Sequence, residues 1–274
     1  MLKTRLILII ACGITVWLIF LLPKSVVENE GELKSTRANP TSSSVHSEID
    51  PLIQSQINQL KLKLADSKAS PLGGQGARNS AIFADSLAGL YQKATRYDSA
   101  AWYAEQANVF FETTESRLKA AEAFYQAFSF AVDNTRRNEL AAKARSFFQQ
   151  ILDENPANLD VKTKMALTFI GTSTPMQGIT LLREVLAENP KFQPALFNMG
   201  MLSVQSGQHV KAIEWLTKLL AVSPDDVQGM LLLGVAYAGN GEKEKAREQF
   251  EKAKKLDSDP AVQQQADAYL KDLK

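Results

Sequence analysis

The sequence predicts an all-α protein: a solenoid of stacked helical hairpins, preceded by one N-terminal transmembrane helix and a flexible linker. Three observations carry this. Signature residues recur in steps of 34 between Ala144 and Ala246. No stretch shows the alternation of apolar and polar residues that marks a half-buried strand. An apolar run, LILIIACGITVWLIFLL, occupies Leu6–Leu22 and stands apart from the rest.

Composition bounds the function. The chain has 274 residues, 45% of them hydrophobic, enough for one or two domains with a real core. Lys plus Arg number 31 against 30 Asp plus Glu, a net charge of +1, which gives no basic footprint for nucleic acid. The single cysteine, Cys12, excludes an intramolecular disulfide and leaves the redox compartment open.

Residues 1–24 read as a membrane anchor. The run spans 17 residues. As helix it reaches about 25 Å, the short end of a transmembrane span. Lys3, Arg5 and Lys24 flank it and extend the effective span by snorkelling. Two other fates compete. A cleaved leader needs an A-x-A-like site after the run, and LLPKSVVE offers none. IIAC (Ile9 to Cys12) resembles a bacterial lipobox, but only Leu6 to Ala11 precede the cut and largely apolar residues follow it. The residues favour the uncleaved anchor. Lys3, Arg5 and the α-amine outweigh Lys24, so the positive-inside tendency keeps the N-terminus cytoplasmic. Lys34 and Arg37 weaken that asymmetry. In a bacterium the rest of the chain then lies on the periplasmic side of the inner membrane.

Residues 25–48 hold few large apolar groups, and STRANPTSSSVHS cannot offset its own ordering entropy. This segment reads as a tether. Over 49–67, Ile53, Ile57, Leu60 and Leu64 fall on one helical face. That helix either packs on the main domain, stays loose, or mediates self-association. SPLGGQGARNS (Ser70 to Ser80) breaks the pattern, so 49–80 reads as a short helix and a Gly-rich connection.

The repeat fills 81–260. Pro156, Pro190 and Pro224 are spaced by 34, and so are Gly200 and Gly234. Ala144, Gly178, Ala212 and Ala246 form a ladder of small residues with the same step. This pattern resembles the tetratricopeptide repeat. Val227 to Pro260 matches best, with Leu233-Gly234, Tyr237, Ala246, Phe250 and Ala253. Gln193 to Asp226 carries Met199-Gly200, Ala212, Leu216 and Pro224, with Ser203 in place of the tyrosine. Leu159 to Phe192 is weaker, and 125–158 keeps only its second-helix signature. A degenerate unit fits 81–114 through Leu87-Ala88, Tyr91 and Ala100. The register slips by ten residues between these last two units.

Each signature has a physical reason. A helical hairpin cannot bury its apolar face alone, so neighbours stack. Gly200 and Gly234 cost about 0.8–1 kcal/mol of helix propensity each. They are expected where two helices cross too closely for a side chain. Gly207 and Asn240-Gly241 end first helices, because both types tolerate the left-handed conformation. The prolines close second helices by pushing the preceding residue out of the α region. Asn158 and Asp226 are candidate N-caps. Residues 261–274 read as a capping helix, with Val262, Ala266, Tyr269 and Leu273 on one face.

No catalytic, cofactor or metal constellation emerges. His46 and His209 are far apart in sequence, and no Gly-rich phosphate loop follows a strand. EKEKAREQFEKAKK pairs charges at i and i+4, the mark of a solvated face. Trp102 and Trp215 are read as core. The resemblance implies a concave groove lined by the first helix of each hairpin. Its positions in the regular units are Thr163, Leu167, Ile170, Phe197, Met201, Val204, Leu231, Val235 and Ala238, which share one face by their spacing of four and three. Their apolar character implies an unidentified protein partner offering an apolar or amphipathic segment, unless the 49–67 helix or tight curvature fills the groove. The function expected is a membrane-tethered, non-catalytic scaffold that binds or assembles proteins, with a self-associating structural element as the alternative.

Overall fold

A computed structural model describes residues 49–69 and 73–273. The expected anchor over Leu6–Leu22 and the tether over 25–48 lie outside the described residues. Among those described, no helix is long and apolar enough to cross a membrane.

The described residues form twelve helices and no strand. Five hairpins follow an N-terminal helix α1 (Pro51–Ala69). They are α2 (Gly73–Lys93) with α3 (Tyr97–Phe111), α4 (Thr114–Phe130) with α5 (Asn134–Glu154), α6 (Leu159–Ile170) with α7 (Pro175–Glu188), α8 (Gln193–Gln205) with α9 (His209–Val222), and α10 (Val227–Gly239) with α11 (Lys243–Leu256). Helix α12 (Pro260–Asp272) closes the stack. Each helix packs on its hairpin partner and on the next hairpin, as a solenoid requires.

Local chemistry sets the ends. Asp133, Asn158 and Asp226 accept hydrogen bonds from Arg136 N, Val161 N and Gly229 N, capping α5, α6 and α10. Thr113 and Ser116 form a reciprocal capping box on α4. Helices α5, α7 and α9 each stop two residues before Pro156, Pro190 and Pro224, with the intervening residue out of the α region. Three hairpin turns share one closure: Arg96 N, Gln208 N and Glu242 N donate to Tyr91 O, Ser203 O and Tyr237 O at 2.8–2.9 Å. The left-handed residue of this turn is Gly207 (φ +70°) or Gly241 (φ +83°), and in the first hairpin it is Thr95 (φ +56°).

Three sequence expectations need correction. Gly73–Ser80 is not a connection but the first two turns of α2. Packing outweighs the glycine propensity cost here: Gly76 and Ala81 are buried, and the Ser67 and Ser80 hydroxyls bond at 2.7 Å. The expected boundary at Tyr125 falls inside α4. The ten extra residues do not separate two units; they lengthen the second hairpin at its turn. Bonds between Asp85 and Lys119, and between Gln92 and Gln126, keep α2 and α4 in the 34-residue step. The buried alanines Ala100 of α3 and Ala144 of α5 are 44 apart. By that register α4 runs three residues further than α2, and α5 begins seven residues earlier than α3 does. Trp102, read as core, is 48% exposed and stands edge-on against Tyr103 at 4.7 Å.

Helix α1 stands on α2. Ile57 and Leu64 are buried with Leu87, Tyr91 and Ala100, and Ile53 and Leu60 pack beside them. The apolar seam of α1 is therefore spent within the chain. At the other end Val262, Ala266 and Leu273 are buried against α11, while Gln264, Asp267 and Lys271 face solvent.

Candidate functional site

The first helices of successive hairpins lie side by side: α4 against α6, α6 against α8, and α8 against α10. Their starts at Leu159, Gln193 and Val227 keep the 34-residue step. Equivalent residues therefore form rungs across the face. Three rungs result: Thr163–Phe197–Leu231, Leu167–Met201–Val235 and Ile170–Val204–Ala238.

The rungs are not equally accessible. Thr163 (3% exposed) and Leu231 (2%) are buried, so neither lines an open surface. Thr163 Oγ1 makes no hydrogen bond. These two residues belong to the packing between neighbouring helices. Phe197 is half-buried against the same core as Ile170 and Val204. Val235 and Ala238 pack on the C-terminal core. Leu167 and Met201 are half-buried and join none of the hydrophobic clusters of the described residues. Their side chains are the apolar groups of the face least committed to internal packing.

The signature residues hold this face in place. A Cβ at Gly200 would meet Leu216 Cγ at 2.6 Å, and one at Gly234 would meet Phe250 Cζ at 2.7 Å. One at Gly178 would meet Ile170 Cγ1 at 2.6 Å. Ala144, Ala212 and Ala246 are fully buried at the small-residue positions of α5, α9 and α11. Tyr237 is half-buried, with Lys245 Nζ 5.3 Å from its ring centre. Pro156, Pro190 and Pro224 are exposed in the loops between hairpins. Close helix crossing brings α8 onto α9 and α10 onto α11, and so sets where Phe197, Met201 and Val235 stand.

Toward the N-terminus the polarity of the face changes. Lys164 of α6 pairs with Glu122 of α4, Lys119 of α4 with Asp85 of α2 (3.3 Å), and Gln126 with Gln92 (2.9 Å). Desolvation works against the Lys119 charge, but Asp85 and Glu115 outweigh it and push its pKa up. One face thus carries polar, internally paired groups over α2 and α4 and apolar groups over α6, α8 and α10. The polar half escaped the sequence reading, although the 34-residue spacing of Asp85 with Lys119 and of Gln92 with Gln126 is written there. Among the described residues no group of His, Cys, Asp and Glu is placed to hold a metal ion. His209 is the first residue of α9, its ring against Gly239.

Residues 203–266 match the tetratricopeptide repeat family. No curated protein matches the chain. Similar solved structures include a crystal structure of MamA, at 18% identity and TM-score 0.50 over 64% of this chain and 96% of that one. MamA from Desulfovibrio magneticus RS-1, residue 41 to its end, has 16% identity and TM-score 0.49 over 64% and 94%. YrrB, described as a TPR protein with an unusual peptide-binding site, has 18% identity and TM-score 0.45 over 69% and 92%. At 18% identity the likeness to the first of these is one of fold.

Proposed function

We propose that this chain is a non-catalytic scaffold that binds an apolar or amphipathic segment of another protein on the face of α6, α8 and α10. The observation that carries this reading is the rung Leu167–Met201–Val235. It sets three apolar side chains in a row across three adjacent helices, and two of them join no internal core. A row of this kind suits the helix-in-groove mode, in which apolar anchors recur every three or four residues. The paired polar groups over α2 and α4 favour a ligand whose other half is polar.

The domain plan follows the same reading. Residues 1–24 anchor the chain in a membrane, 25–48 tether it, and α1 leads into the five hairpins of α2 to α11, with α12 as their cap. The anchor places the array at the periplasmic face of a bacterial inner membrane. Impermeant maleimide labelling of Ser258→Cys in a Cys12→Ser background tests sidedness in intact cells. Labelling supports export, and labelling only after lysis rules it out.

The binding face is tested by comparing what co-purifies with full-length wild type and with Leu167→Glu/Met201→Glu. A protein recovered with wild type and lost from the variant, with helical content unchanged, supports the reading. The same set of proteins from both contradicts it.

A further inference from the structure

We propose that Met201 makes the binding face redox-sensitive: oxidation of its thioether to the sulfoxide releases the bound segment while the fold stays intact. The inference rests on the reading of the α6, α8 and α10 face given above and adds the regulation of that face. Five methionines lie among the described residues. Met199 and Met230 are each 6% exposed and belong to hairpin cores. Met165 packs against the N-terminal core. Met176 is 63% exposed, but it stands on α7, a second helix. Met201 stands on the face itself. It is half-buried, holds the middle of the rung Leu167–Met201–Val235 and joins none of the hydrophobic clusters of the described residues.

Helix geometry separates the two thioethers that flank Gly200. Residues two apart on a helix point to different sides. Met199 turns into the hairpin core, and Met201 turns onto the face. A thioether is soft and apolar, which suits contact with an apolar segment. It is also the group of this face open to two-electron oxidation. With hydrogen peroxide as oxidant, the Met201 sulfur attacks one peroxide oxygen. An S–O bond forms, the O–O bond breaks, the sulfur loses two electrons and water leaves. The product is a polar, chiral sulfoxide, which methionine sulfoxide reductases return to the thioether.

Position decides the consequence. The rung neighbours of Met201 are the aliphatic side chains of Leu167 and Val235. An apolar segment laid over this row buries the new oxygen without a donor, which weakens binding by about tenfold or more. The fold is spared, because the cores use Met199 and Met230 and both are sheltered. A bound segment covers the Met201 sulfur, so segment and oxidant compete for the same atom.

The test has two parts, both on the full-length chain. Purified protein is treated with hydrogen peroxide and mapped by mass spectrometry. Met176 and Met201 are expected to oxidise ahead of Met199 and Met230, with helical content unchanged by circular dichroism. Oxidation of Met201 no faster than Met199, or loss of helix once Met201 is oxidised, overturns the proposal. In intact cells a benzophenone amino acid replaces Leu167, and adduct yield is read before and after peroxide as a ratio within each chain. The ratio is expected to fall about tenfold with Met201 present, to fall equally in Met176→Leu, and to stay near one in Met201→Leu. An undiminished adduct with Met201 oxidised, or an equal fall in Met201→Leu, overturns the switch and leaves the binding face standing. No adduct from position 167 in untreated cells overturns the binding face, and the switch with it.

Discussion

Gly200 of α8 faces Leu216 of α9 so closely that any Cβ at position 200 would lie 2.6 Å from the Leu216 branch carbon. Leu216 itself is fully buried. The glycine that weakens α8 as an isolated helix is what lets the hairpin close.

Gly200→Leu forces the hairpin apart. Overpacked cores lose typically 1–3 kcal/mol and occasionally more, and here a whole side chain enters fully occupied space. The expected loss is about 3 kcal/mol, read from urea unfolding followed by circular dichroism. A wild-type midpoint sinks the hairpin register.

Thr95 occupies the turn position filled by Gly207 and Gly241 in later hairpins, at φ +56°. A left-handed conformation costs an L-residue about 1–2 kcal/mol, and glycine avoids it. Part of the gain is offset by the larger entropy of the unfolded glycine chain. Thr95→Gly is expected to stabilise by about 0.5–1 kcal/mol. A lower unfolding midpoint for the variant contradicts this turn geometry.

Met201 and Leu231 separate binding from folding. Leu231→Ala removes a buried side chain and is expected to cost about 2–5 kcal/mol. Met201→Ala should stay within about 1 kcal/mol of wild type, because its side chain joins no internal cluster. Equal losses for the two contradict the exposure difference described here.

Ile57 measures the docking of α1. It is fully buried against α2, whereas Leu62 on the same helix is 68% exposed. Ile57→Ala should cost about 2–4 kcal/mol. Leu62→Ser should change stability by less than about 0.5 kcal/mol. If both are neutral, α1 does not cap the first hairpin.

Glu154 at the end of α5 accepts from the Thr114 hydroxyl and pairs with Arg117, and both hold its carboxyl below the usual glutamate range. A depressed pKa gives stability that is full above the unfolded value and fades as pH falls through the folded one. Arg117→Ala is expected to move the Glu154 titration upward in a carboxylate NMR experiment. An unchanged titration leaves Thr114 as its only partner of consequence.

The regular hairpins were legible because their signatures are steric. Glycine at 200 and 234 and alanine at 212 and 246 are sizes, and sizes show in a sequence. The second hairpin was not legible, because α4 packs Ala120, Ala121 and Phe124 in a pattern the repeat does not share. Without that register, nothing in the residues distinguishes ten extra positions between units from ten at a turn. Helical periodicity placed Thr163 and Leu231 on the same face as Met201. It carries no information on how closely the neighbouring helix approaches, and that approach buries both. Gly73–Ser80 read as a break because the packing of α1 on α2 is long-range and invisible to local propensity.

The most direct test of the binding face is photo-crosslinking of the full-length protein in intact cells, with a benzophenone amino acid at Met201 and, separately, at Arg247 on the exposed side of α11. The account predicts one discrete adduct with another protein from position 201 and none from 247. Adducts of equal yield from both positions, or none from 201 when the protein is folded, contradict it.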